Sequence, residues 1–171
     1  MSRFDENQLL LDEFATEFLV RCPRCQKQAR VAVAPTEEFV VRLTCSNCGN
    51  LQDWECTQPA TRMWSSDPDL YEKGVISIGS SVDWCFHLPL WLKTQCCGHE
   101  LWAYNYEHLD WIENYVGAKL RERTQDEQTG WRNQSLASRL PKWIKDSKNR
   151  EDILKAITKL RGAKCLTKVS T

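Results

Sequence analysis

The chain has 171 residues, 42% hydrophobic and including eight tryptophans, which supports one proper core or a small metal-stapled part beside a helical one and excludes a disordered chain. Formal charge sums to zero but is unevenly placed: residues 1–116 carry 9 Lys/Arg against 17 Asp/Glu, net −8, and residues 117–171 carry 14 against 6, net +8. No run approaches the roughly 20 apolar residues that a membrane span needs, and Met1 to Val20 lacks a charged-then-apolar signal pattern.

Nine cysteines are an odd number for a disulfide framework, and four of them fit a metal pattern, so the thiols are read as reduced and the protein as cytoplasmic. Over residues 5–20, Leu9, Leu10, Leu11, Phe14, Phe18 and Leu19 recur at helical spacing among acids, and an N-terminal helix is expected over 1–18. Next come two C-x-x-C pairs, Cys22-Pro23-Arg24-Cys25 and Cys45-Ser46-Asn47-Cys48, with nineteen residues between them. Four thiolates so spaced can surround one ion tetrahedrally and leave no coordination position open for chemistry. Between the pairs, Ala29 to Ala34 and Phe39 to Leu43 read as the two strands of a hairpin, joined by a turn at Pro35-Thr36-Glu37-Glu38. Leu51 to Glu55 supplies a third strand.

Knuckle, hairpin, knuckle and strand in this order resemble the zinc-ribbon family, which includes ribbons of general transcription factors and transcription elongation factors. The resemblance covers about residues 19–56. It implies a small antiparallel β ribbon holding one structural Zn2+ through Cys22, Cys25, Cys45 and Cys48. It implies much less about activity, because such ribbons serve as DNA, RNA or protein contact modules and also as plain staples. The first knuckle departs from the family pattern at Gln26, where a glycine often follows the second cysteine; the second knuckle has Gly49 there.

Residues 57–83, punctuated by Pro59, Pro68, Gly74 and Gly79, read as a loop ending in a short strand. Leu88 to Tyr104 then repeats the plan of Val41 to Trp54, an apolar strand, a Cys-Gly turn and an aromatic strand, with Cys97-Gly98 matching Cys48-Gly49. Residues 57–106 are therefore expected to be a second β-hairpin unit, a degenerate copy of the ribbon. Cys85, His87, Cys96, Cys97 and His99 are residue types that suit zinc, yet adjacent Cys96 and Cys97 bite one ion poorly and no clean C-x-x-C remains. One ion is expected rather than two.

Glu107 to Arg123 has Leu109, Ile112, Val116 and Leu120 on one helical face, and His108 near its start reads as a surface residue. A polar connector, Thr124 to Gly130, leads to a basic helical module, with Pro141 marking a break and Gly162 stopping a helix through Ile153, Leu154, Ile157 and Leu160. Arg132, Arg139, Lys142, Lys145, Lys148 and Arg150 crowd the helix junction, a cluster that a phosphate backbone attracts through counterion release. The fold class expected is α+β: the ribbon, a second hairpin unit, and the helical module at 107–171.

The sequence has no glycine-rich phosphate loop, H-E-x-x-H or G-x-S-x-G, and no small-molecule substrate suggests itself, so no enzyme is expected. The first functional reading is a zinc-ribbon protein that binds DNA or RNA through the six basic residues. The alternative is a protein–protein adaptor or accessory subunit anchored by Trp84, Trp91, Trp102 and Tyr104, with the basic helices docked on an acidic partner.

Overall fold

The structure, a computed structural model, describes residues 3–5, 10–35, 40–55, 62–64, 76–118, 120–122 and 136–162. In chain order these hold β1 (Arg3–Asp5), a 3-10 turn (Leu11–Phe14), β2 (Glu17–Arg21), β3 (Gln28–Val33), β4 (Val40–Thr44), β5 (Leu51–Glu55), β6 (Arg62–Trp64) and β7 (Ile76–Ile78). There follow β8 (Leu92–Cys96), β9 (His99–Ala103), α1 (Tyr106–Gly117), β10 (Leu120–Glu122), α2 (Leu136–Arg139), α3 (Lys142–Lys145), a 3-10 turn (Ser147–Asn149) and α4 (Arg150–Gly162). The mixture of sheet and helix is the α+β class expected. The chain forms two compact units, one comprising Met1–Phe14, Thr94–Leu101 and Tyr106–Thr171, the other Ala15–Lys93 and Trp102–Asn105. The division is interleaved, where the sequence suggested four parts in succession.

The second unit is built on an antiparallel sheet in the order β2-β3-β4-β5. Strand residues alternate between its faces, and Phe18, Val20, Ala29, Val31 and Leu43 lie buried on one of them. The opposite face is mixed, and on it Arg42 stands directly across from Asp53 and donates to its carboxylate through Nε at 2.6 Å and Nη2 at 2.8 Å. The outer edge of β2 is also occupied. The Leu19 N–H donates to the Tyr104 carbonyl, the Trp91 N–H to the Leu19 carbonyl and the Arg21 N–H to the Pro89 carbonyl, each at 2.8 Å. The connection that delivers residues 89–91 is folded around Asp83, fully buried, whose carboxylate accepts from the backbone N–H groups of Cys85, Phe86 and Leu88 at 2.7–2.9 Å.

The expected N-terminal helix is absent from the residues described between 10 and 18, which form a single 3-10 turn and then enter β2. Phe18 to Val20 find partners on both edges of β2, and this pairing overrides a helical period carried by few residues. The expected hairpin between the knuckles is β3 and β4, and Leu51 to Glu55 is the added strand β5. Residues 57–83 contain a parallel pair, β6 with β7.

In the first unit α1 buries Leu109, Ile112, Tyr115 and Val116, and α4 buries Ile153, Ile157 and Leu160 at the expected four- and three-residue steps. Arg161 on α4 pairs with both Asp110 and Glu113 of α1. The expected helix over 107–123 stops at Gly117, and residues 120–122 instead pair in parallel with residues 3–5. His108 is not a surface residue. It is 2% exposed, stacked on Phe14 with ring centroids 5.0 Å apart, and burial lowers its pKa to about 4. Among the described residues no helix is long and apolar enough to cross a membrane.

Candidate metal centre and basic surface

The two C-x-x-C turns are built alike. In each, the first cysteine's N–H donates to the carbonyl five residues on, Cys22 to Lys27 at 2.8 Å and Cys45 to Asn50 at 2.9 Å. In each, the residue after the second cysteine returns its N–H to the first cysteine's carbonyl at 2.9 Å, Gln26 to Cys22 and Gly49 to Cys45. Closing the turn in this way places that residue in the left-handed region, with φ 59° at Gln26 and 69° at Gly49. Glycine adopts it without penalty, and glutamine does so at a cost.

The sheet sets these turns side by side, because β2–β3 carries the first and β4–β5 the second. The sulfurs of Cys22, Cys25, Cys45 and Cys48 consequently all lie within 4.8 Å of one another, with Cys22 to Cys48 at 3.7 Å and Cys25 to Cys45 at 3.6 Å. A tetrahedral ion with Zn–S bonds of about 2.3 Å needs sulfur separations of about 3.8 Å, so the donor set fits zinc. Cys22 and Cys45 are buried and the other two partly so.

Thiol electrostatics point the same way. Burial disfavours the Cys22 thiolate, but the backbone N–H groups of Cys25 and Arg24 and the neighbouring thiols outweigh it and lower its pKa to about 6. The Lys27 N–H leads in lowering Cys25. Cys48 is pushed up to about 12, by burial first and then by the other three thiols. The opposed shifts within one cluster are those of thiols that compete for a shared negative charge, which a bound cation relieves. Two amides add donors: Asn47 Nδ2 reaches the Cys25 sulfur at 3.5 Å and Asn50 Nδ2 the Cys22 sulfur at 3.8 Å. Such outer partners orient thiolate ligands. They escaped the sequence reading, although Asn47 and Asn50 flank Cys48-Gly49 as polar residues inside an otherwise structural turn.

The second hairpin is a different object. β8 and β9 are joined by Cys97-Gly98 alone, with φ 53° and 76°, the pattern of a two-residue type I′ turn. A two-residue turn has no room for a knuckle, so the likeness of Cys97-Gly98 to Cys48-Gly49 stops at the glycine. Cys96 and Cys97 bring their sulfurs to 3.6 Å of each other. Among the described residues only the four-cysteine set brings three or more metal-binding side chains together; Cys85, His87, Cys96, Cys97 and His99 are in no such group.

In the Trp-rich stretch Tyr104 is fully buried and the three tryptophans are half-buried. Trp84 Nε1 donates to the Tyr104 hydroxyl at 2.9 Å, Phe18 meets both rings, and Trp102 lies 5.2 Å from fully buried Tyr104. Trp91, half-buried, carries the Arg21 guanidinium 5.3 Å above its ring.

The six basic residues differ in exposure and surroundings. Arg132 lies outside the described residues. Arg150 and Lys148 are engaged locally: the Arg150 guanidinium donates to the Ala118 carbonyl at 3.1 Å, and Lys148 pairs with Asp146 at 3.2 Å. Arg139 and Lys142 are exposed and Lys145 half-buried, all within α2 and α3. Pro141, where the sequence marks a break, is the residue immediately before α3, and Asp146 caps the 3-10 turn that follows, its side chain accepting the Lys148 N–H. No family model matches the chain, and no curated protein or solved structure matches it either.

Proposed function

We propose that the chain is a non-catalytic zinc-ribbon protein that associates with nucleic acid through its basic C-terminal segment. In this reading Cys22, Cys25, Cys45 and Cys48 hold one Zn2+ as a closed staple, which supplies folding energy to a sheet of only four short strands. Reduced thiols of this kind suit a reducing compartment such as the cytoplasm.

The observation that carries the nucleic-acid half is the surface of residues 136–148. Four cations and one acid fall in this segment, Arg139 and Lys142 are exposed, and of the adaptor's anchors Tyr104 is fully buried while Trp84, Trp91 and Trp102 are half-buried.

The test is a salt titration of the zinc-loaded protein against labelled single-stranded DNA, duplex DNA and RNA. Three phosphate contacts give a log–log slope of about −2 on a single strand and nearer −3 on a duplex. Charge reversal at Arg139, Lys142 and Lys145 should flatten it without loss of zinc or of thermal stability. Absence of binding at low salt would overturn the reading and direct attention to an acidic protein partner.

A further inference from the structure

The tip of the β8–β9 hairpin and the short helix α3 bring two aromatic rings face to face. His99 and Trp143 have centroids 5.1 Å apart and planes inclined by 13°. His99 is exposed and Trp143 half-buried, so the stack lies at the surface and not in the interior.

The pair is held in place from behind. Ile144, next to Trp143, is 6% exposed and roots α3 in the core. Asn149 Nδ2 donates to the Trp143 carbonyl at 2.9 Å, and the Asp146 N–H closes the helix on the Lys142 carbonyl at 3.1 Å. Cations bracket the indole in sequence: Lys142 and Lys145 on α3, Arg139 at the end of α2. Asp152, the acid whose charge is felt at Cys96 beside the tip, is itself paired with Lys155 at 3.7 Å.

A surface aromatic stack with cations at nearby positions of the chain, Glu100 and Asp146 being the neighbouring acids, is an arrangement by which proteins hold unpaired bases, since any base has a face to stack and each neighbouring phosphate a charge to neutralise. A duplex offers no such face, because its bases are stacked on one another and show only their edges in the grooves. Nor do α2 and α3, four residues each, provide a helix long enough to read a groove.

We propose that His99 and Trp143 form a base-stacking platform for single-stranded nucleic acid, with Arg139, Lys142 and Lys145 on the adjoining phosphates. This rests on the nucleic-acid reading above and narrows it to single strands.

The experiment measures binding of zinc-loaded protein to labelled oligothymidylate, oligouridylate and a DNA duplex at fixed low salt, for the wild type, Trp143→Ala, Trp143→Phe and His99→Ala. Trp143→Ala should weaken both single strands on the order of tenfold, leave duplex affinity as it was and keep the salt slope, because a ring and not a charge is lost. Trp143→Phe should restore most of the affinity. His99→Ala, a change at an exposed position that does not endanger the fold, should weaken the single strands by a few-fold. The two single-strand arms report whether the sugar matters. Equal losses on single strand and duplex, or no loss in either alanine variant, would overturn the platform while leaving phosphate binding standing. Failure of the wild type to bind any of the three probes would overturn the reading beneath it.

Discussion

Gln26 and Gly49 occupy the same position in two turns with the same hydrogen bonds, at φ 59° and 69°, so exchanging their chemistry has a calculable effect. An L-residue held in the left-handed region costs about 1–2 kcal/mol, and a glycine there returns about 0.5–1 kcal/mol of that through the greater freedom of the unfolded chain. Gln26→Gly should therefore stabilise the zinc-loaded protein by about 0.5–1 kcal/mol, raising Tm by about 1–4 °C for a chain of this size. A Cβ at Gly49 meets nothing within 4 Å, so Gly49→Gln carries the backbone term without a clash and should lower Tm by a similar amount. The double exchange should return close to the wild type. Because the thiols reach the ion only when the turns are closed, the same free energy should appear in zinc affinity, as a change of about two- to fivefold in competition with a chromophoric chelator. If Gln26→Gly lowers Tm, or Gly49→Gln leaves it unmoved, the two turns are not equivalent and the backbone argument fails.

Cys45→Ser removes one buried ligand and should abolish stoichiometric zinc binding; since structural zinc supplies about 10–16 kcal/mol in small sites, more than most domains have in total, residues 17–55 should lose their ordered amide signals. A serine variant that keeps one zinc per chain by elemental analysis would show that the tetrad is wrongly assigned. His108 is held near pKa 4 against an ordinary 6.5 by burial, so the unfolded chain takes up a proton first on acidification. Stability from this group is intact above about pH 6.5 and is lost as pH falls towards 4, by about 3 kcal/mol at the limit. Urea midpoints of the wild type should fall more steeply between pH 7 and 5 than those of His108→Gln, and parallel profiles would refute the assignment.

The cysteine pairs were legible in the sequence because a chelating turn is local: the loop that seats two sulfurs lies within six residues, and β-branched runs on either side announce the strands that bring two such loops together. The α4 stripe was legible for the same reason, its period and its terminal glycine lying within one element. What the sequence hid was non-local. Phe18 to Val20 satisfy a helical pattern until their partners at 28–32, 89–91 and 104 are known. Residues 120–122 continue the face of α1 on paper, yet they pair with residues 3–5, more than a hundred positions away, and no local signal reveals that. The charge cluster illustrates a further limit. Counting placed six cations together, but only side-chain geometry shows that the Arg150 guanidinium is engaged by the Ala118 carbonyl and Lys148 by Asp146.

The interleaved division of the chain sets an order on its synthesis. Every strand of the four-stranded sheet, and all four clustered cysteines, has been made once residue 55 is out, although the outer edge of β2 gains its partners only with residues 89–91 and 104. The other unit is assembled from three separated stretches, and α4, the helix that pairs with Asp110 and Glu113, ends at residue 162. At about 5–20 residues per second, about 3–13 s pass between the synthesis of the last cysteine-bearing strand and that of residues 120–122, the partners of the N-terminal strand.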